Sequence, residues 1–256
     1  MINTNVYAKD LFKNPNIPYL FNSEITEYDM KDAGYSIIQE FHLLPDDLIE
    51  KLGKMKKDKR TIEIGKISKN HEFSKKLMDG FKEARRLFFD ANNLEIFDIV
   101  SIKKDAIFLN KICKDTQVGK FILFRQKNTY TSYIQLGSRI ELYYNPYELE
   151  VKGISDDVCE KHKDYMLSFI NTFFNLMETT KPEVVLTYLN KFISEYKRKE
   201  LLVGYYRRFD TESLFIESTT GYLFGDYLEA DKDQLDISYN LFNVLLKLVT
   251  IPINVK

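Results

Sequence analysis

Residues 73–91 place Phe73, Leu77, Phe81, Ala84, Phe88 and Ala91 at helical spacing, while Lys75, Lys76, Lys82, Glu83, Arg85 and Arg86 fall elsewhere. A stripe this rich in aromatic carbon has to be laid on another apolar layer. Asn92–Asn93 closes the helix. The next segment supplies a partner layer. FDIVSI and AIFLN are apolar, β-rich runs that flank Lys103–Lys104–Asp105, which predicts a hairpin with those residues at its tip.

Other elements fall into place around this pair. EITEYDM at 24–30 reads as a strand, and residues 33–44 carry Ile37, Ile38, Phe41 and Leu44 at helical spacing. Pro45 and Asp46–Asp47 mark a break and a new helix start, and residues 51–60 form a basic run. Strands are predicted at 121–125, 130–136, 139–144 and 149–154. Amphipathic helices follow at 157–179 and 182–198, with Pro182 suited to a first helical turn. The β-like piece SLFIES and an apolar helix near 234–249 complete the chain. The expected fold is α+β: an antiparallel sheet backed by helices over residues 1–154, with a helical insert near 45–92, then a mainly helical region over 155–256.

Composition narrows the setting. Hydrophobic residues make up 44% of the 256, with 19 Phe, 17 Tyr and no Trp, which is ample for a core. The 37 basic and 38 acidic residues balance, so only local clustering bears on nucleic acid. Two cysteines, Cys113 and Cys159, make no disulfide framework and point to a reducing cytosol. His42, His71 and His162 form no zinc-type spacing with them. The N-terminus lacks a long apolar core of a signal peptide. The stretch LFNVLLKLVTIPI is broken by Asn243, Lys247 and Pro252, too short to span a bilayer. Low Gly and Pro with abundant Asn, Lys, Ile and Tyr fit an AT-rich genome, such as that of a low-GC bacterium or its phages.

Two acids stand at the ends of apolar strands: Asp29 and Asp105. Each alone reads as a turn or cap residue. If the strands pair, both carboxylates meet at one edge, and paired carboxylates suit Mg²⁺, a hard cation that takes oxygen ligands. In this order the motifs resemble family B DNA polymerases. DMKDAGYSII at 29–38 is similar to motif A of that family, roughly DxxSLYPSII, with Asp29 on the metal-binding Asp and Ser36 on the family Ser. SIKKDAIFL at 101–109 is similar to motif C, roughly YGDTDSIFV, with Asp105 on the second Asp. KNTY at 127–130 resembles the KKRY element, and LEVKGI at 149–154 the strand preceding the thumb. Lys66 and Asn70 have the KxxxN spacing of the fingers motif.

The resemblance covers residues 24–154 and implies a palm-like sheet followed by a thumb-like helical region. It implies nucleotidyl transfer to nucleic-acid 3′ ends with two Mg²⁺ ions, as in DNA replication. Asp29, Asp105 and the Met30 carbonyl would hold metal. Arg60, Lys66 and Tyr35 would meet a nucleoside triphosphate, and Lys127, Tyr130 and Lys152 the primer strand. The chain departs from the family at Lys103, which replaces the first Asp of DTD, at Gly34, and in the short insert between the motifs. These departures motivate a second reading, a catalytically inactive palm-derived subunit that binds nucleic acid or a protein partner. A third is an unrelated α+β interaction protein in which residues 25–30 and 98–110 are not adjacent strands. The basic stretch Lys51 to Lys59 reads either as a solvated helix face or as a track for a phosphate backbone. Aromatic strands from Tyr130 to Tyr147 read as sheet core or base-stacking surface. Tyr205–Tyr206–Arg207–Arg208 reads as a duplex contact or an amphipathic element end.

Overall fold

The computed structural model describes residues 5–137, 139–206, 214–218 and 221–225, the last two segments as backbone only. In chain order it contains β1 (Leu11–Lys13), β2 (Tyr19–Leu20), β3 (Ile25–Met30), α1 (Ala33–Glu40), α2 (Asp46–Gly53), α3 (Lys57–Ile67) and α4 (His71–Ala91). Then come β4 (Ile99–Lys103), β5 (Ala106–Leu109), β6 (Phe124–Tyr130), β7 (Ser132–Leu136), β8 (Ile140–Asn145) and β9 (Glu148–Lys152). Helices α5 (Asp156–His162), α6 (Ser168–Thr179) and α7 (Pro182–Lys197) precede the hairpin of β10 (Leu214–Ser218) and β11 (Gly221–Gly225). The fold is α+β, built on antiparallel sheets backed by helices. None of the described helices is long and apolar enough to cross a membrane.

The chain divides into two compact units, one of residues 1–18 with 23–130 and one of residues 19–22 with 131–256. The division thus falls at Tyr130/Thr131, ahead of residue 154, because β7, β8 and β9 pair with β2 in a separate four-stranded sheet.

In the first unit the sheet order is β1-β4-β5-β3-β6, so the strand bearing Asp29 lies directly beside the predicted hairpin. Helices α1 and α4 cover one face. Ile37 and Ile38 of α1 and Phe73, Leu77, Phe81, Ala84 and Phe88 of α4 are buried with Tyr28, Met30, Ile102, Ile107, Leu109 and Phe124 of the strands. Phe88 stacks on Phe124 at 4.4 Å between ring centroids and tilts against Tyr28 at 5.4 Å. The helix starts where Asn70 accepts a hydrogen bond from the Phe73 amide at 3.0 Å. It ends through Asn92 and Asn93, the latter in left-handed conformation with φ 48°. Helices α1 and α4 approach so closely at Gly80 that a Cβ there would lie 2.4 Å from Ile37 Cγ2.

Arg85 of α4 is 0% exposed and ties three segments together. Its Nε donates to the Tyr7 carbonyl at 2.6 Å, Nη1 to the Lys104 carbonyl at 2.5 Å, and Nη2 to Asp10 Oδ1 at 2.9 Å. Lys104, at the hairpin tip, adopts φ 58° and donates its amide to the Asp10 carbonyl at 2.6 Å. Its ammonium sits 5.3 Å from the centre of the Phe81 ring.

One strand is displaced from its expected place. The apolar letters at 121–125 predict a strand there, but β6 begins at Phe124 and continues to Tyr130. It is a sheet-edge strand whose middle is exposed, so RQKNT shows no apolar alternation to betray it.

In the second unit Ile134, Leu136, Leu142 and Tyr144 of the sheet pack with Met166, Phe169, Ile170, Phe173 and Phe174, and with Val185, Leu189 and Phe192 of α7. Tyr144 stacks on Phe174 at 5.0 Å with rings nearly parallel. The predicted helix over 157–179 is interrupted by a π-helical turn at Lys163–Leu167. Pro182 occupies the first turn of α7, as its fixed φ favours. Arg207, Arg208 and the apolar helix expected near 234–249 lie outside the described residues.

Replacing Arg85 by Ala removes a buried cation, three hydrogen bonds and the volume of the side chain. The expected cost is about 3–5 kcal/mol, a fall in Tm of roughly 6–20 °C for a chain of this size. Thermal denaturation of the variant checks this; a shift below about 2 °C would mean that the guanidinium does not hold the segments together.

Candidate active site

The pairing register determines which side chains share the sheet face opposite the helices. Asp29 pairs with Ala106 of β5 and Arg125 of β6, Ala106 pairs with Lys103 of β4, and Lys103 with Leu11 of β1. Register partners in neighbouring strands project to the same side. One row therefore carries Arg125, Asp29, Ala106, Lys103 and Leu11. Lys103 stands two strands from Asp29, about 9–10 Å in strand spacing, with only the methyl of Ala106 between them. The two-residue tip Lys104–Asp105 closes the end of this row, and the Met30 amide donates to the Asp105 carbonyl at 3.1 Å.

Asp29 is 31% exposed. Its carboxyl is pushed above the usual range, first because burial penalises the charge, then because the Asp105 carboxylate repels it. Lys127 and Arg125 act in the opposite sense, and Glu27 adds to the repulsion. Arg125 Nη2 lies 3.7 Å from Asp29 Oδ2. The structure thus brings Asp29 and Asp105 into one electrostatic neighbourhood, with the Met30 backbone beside them. Among the described residues, no group of three or more His, Cys, Asp or Glu side chains is gathered as for a metal. What is present is two carboxylates that repel one another, oxygen donors of the kind a hard divalent cation takes.

A second row carries Glu27, which pairs with Phe108 and Asn128. Glu27 is 2% exposed, yet it accepts hydrogen bonds from Lys127 Nζ at 3.1 Å, Asn128 Nδ2 at 3.2 Å and Tyr130 Oη at 3.3 Å. The register shift in the β3–β6 pairing between Glu27 and Tyr28 brings Lys127 as well as Asn128 to the one carboxylate. Tyr130 is fully buried with its hydroxyl in this network, while Lys127 is half-exposed. Sequence reasoning missed Glu27, Arg125 and Asn128. The signal for Glu27 was its position two residues before Asp29 on the same strand face.

The turn leaving Asp29 is closed by Ser36, whose hydroxyl donates to the Lys31 carbonyl at 2.7 Å, and by Asp32 in left-handed conformation with φ 52°. Arg60 reaches this turn from α3. It pairs with the Asp32 carboxylate, lies 4.5 Å from the centre of the Tyr35 ring, and donates to the Met55 carbonyl at 3.4 Å. Tyr35 in turn donates to the Ile49 carbonyl at 3.1 Å. Arg60 is therefore brought to Asp32 and Tyr35, three and six residues downstream of Asp29. Lys66 is not with them; it is exposed on α3 and paired with Glu63 at 3.0 Å. Lys152 belongs to the second unit, on β9, paired with Glu150.

Glu27 and Asp29 are predicted to respond oppositely to loss of charge. Glu27→Ala strands buried donors and should cost about 1–3 kcal/mol. Asp29→Asn removes a charge that burial and Asp105 both disfavour, so its Tm at pH 7 should equal or exceed that of the wild type. Equal losses in the two variants would remove the distinction between a structural and a poised carboxylate.

None of the curated proteins compared with the chain matches it. A family model does, over residues 1–254, and its description is Bacteriophage PBS1 gene 130 protein. That description supports the phage origin suggested by composition and states no activity. With nearly the full length matched, the chain belongs to the Bacteriophage PBS1 gene 130 protein family.

Proposed function

We propose that this protein is a compact palm-like nucleotidyltransferase acting on nucleic-acid 3′ ends. The observation that carries the reading is the coupling of Asp29, at the end of β3, with Asp105, at the tip of the neighbouring hairpin. Asp29 and Asp105, with the Met30 carbonyl, would hold Mg²⁺. A bound Mg²⁺ supplies charge neutralisation and alignment for in-line phosphoryl transfer. Arg60 and Tyr35, already stacked beside the turn after Asp29, would face the triphosphate, with Lys66 further along α3. Lys127, oriented by Glu27, would meet the primer backbone. Tyr130 would act by holding Glu27 and Asn128.

A second reading, an inactive palm-derived subunit, has its own support. Arg125 already answers the Asp29 carboxylate, and Lys103 stands in the same row where the family motif has an acid. Cations in that row compete with Mg²⁺ for the same oxygens.

Extension of a labelled primer–template with each nucleoside triphosphate and Mg²⁺ or Mn²⁺ separates the readings. The expected result is transfer by the wild type and its loss in Asp29→Ala and Asp105→Ala, both still folded by circular dichroism. Full activity in either variant would move the site elsewhere. No transfer by wild type, but metal binding gained in Lys103→Asp by calorimetry, would establish the inactive reading.

A further inference from the structure

We propose that the arm formed by α2 and α3 is a docking surface for the phosphodiester backbone of nucleic acid. From Lys51 to Lys69 the chain has eight basic residues against two acidic ones, Asp58 and Glu63. That is +6 over this segment in a chain whose formal total is −1; with Asp46, Asp47 and Glu50 at the start of α2, residues 46–69 together hold eight basic against five acidic residues, so the excess of cations lies in the part of the arm from Lys51 onward.

Folding sorts these charges. Leu52 and Ile64 are buried in the core, with Met55 and Ile67 packed against it. Arg60 turns inward to Asp32 and Tyr35. Lys51, Lys54, Lys56, Lys57, Lys59 and Lys69 are all left exposed. Lys54 pairs with Glu50 at 2.6 Å. The other five form no ion pair among the described residues. Lys56, Lys59 and Lys66 also follow spacings of three and seven, which puts them along one side of α3.

Helix α4 shows what a merely solvated basic helix does in this protein. There Lys76 pairs with Glu72 at 2.7 Å, Lys82 with Asp79 at 2.9 Å, and Arg86 with Glu83 at 2.6 Å and Asp90 at 2.5 Å. Lys76, Lys82 and Arg86 on α4 are paired with acids one turn away, whereas Lys51, Lys56, Lys57, Lys59 and Lys69 on the arm are not paired among the described residues. Uncompensated like charges repel one another, a cost that a polyanion reverses by releasing its condensed counterions. The complementary partner is thus a chain of phosphates. Such contacts position a nucleic acid without reading its sequence.

This inference concerns the partner of the proposed site but does not require catalysis there. The test is fluorescence anisotropy of the full-length protein with a labelled single strand and with a duplex, at several salt concentrations. The variants are the triple substitution Lys51→Gln/Lys56→Gln/Lys59→Gln and the matching triple Lys→Arg variant. The expected result is at least tenfold weaker binding by the Gln variant. Its log–log salt slope should be shallower by about two on a single strand, or nearly three on a duplex. The Arg variant should bind like the wild type. Whichever of the two probes shows this arm dependence identifies the form of nucleic acid bound. Unchanged affinity and slope in the Gln variant, or a wild-type slope near zero on both probes, would overturn the proposal. Arm-dependent binding without any nucleotidyl transfer would sink the catalytic reading alone.

Discussion

The buried guanidinium of Arg85 is the constraint on which the first unit turns. A fully desolvated cation is tolerated only if its donors are answered, and here they are answered by the Tyr7 carbonyl, the Lys104 carbonyl and the Asp10 carboxylate. The consequence runs in both directions. The N-terminal segment is drawn against α4, and the β4–β5 tip is held through the Lys104 backbone, with the Lys104 ammonium over Phe81 beside it. Asp105 follows Lys104 directly, so the position of that carboxylate is inherited from an interaction on the helical side of the sheet. Burial depresses the guanidinium below its ordinary value, with Asp10 pulling the other way, yet an arginine stays charged throughout the physiological range.

The opposite face follows a different rule. It contains acids at two depths: Glu27, almost sealed off and met by three donors, and Asp29, partly open, whose charge is disfavoured first by burial and then by Asp105. Both lie on one strand two residues apart. The difference is made by β6, where the register shift brings Lys127 and Asn128 to Glu27 and leaves Arg125 at 3.7 Å from Asp29. One carboxylate is used up by the fold; the other keeps lone pairs available. That asymmetry is the physical basis for the proposal that Asp29 carries chemistry, while Glu27 serves the scaffold.

Much of this was legible in the sequence where periodicity was strong. The Phe73-to-Phe88 stripe, the hairpin around Lys104–Asp105 and the strand into Asp29 follow from apolar spacing, and the antiparallel sheet joining them follows from the need to bury that stripe. What escaped was short or polar. Strand β1 has three residues and β2 two, too few for any period to register. Strand β6 is polar through its middle and lies at a sheet edge, so its start was placed too early and its side chains were overlooked. The switch from the first sheet to the second at Tyr130/Thr131 left no composition change, because strand follows strand almost without interruption. Arg60 was picked out for a phosphate role, but its stacking on Tyr35 and its pairing with Asp32 depend on how α3 folds back, which no spacing rule encodes.

Gly80 gives α4 a notch in which the methyl of Ile37 rests. Such a notch works as a key in a slot. Sliding α1 along α4 by one turn, about 5.4 Å, would drive that methyl against a neighbouring side chain. The first turn of α1, which Asp32 immediately precedes, is thereby indexed along α4 at one axial position. Any opening of this region to admit a bulky solute would have to be made by swinging α2 and α3, whose grip on α1 includes one stacked guanidinium, and not by translating the helix that follows Asp29.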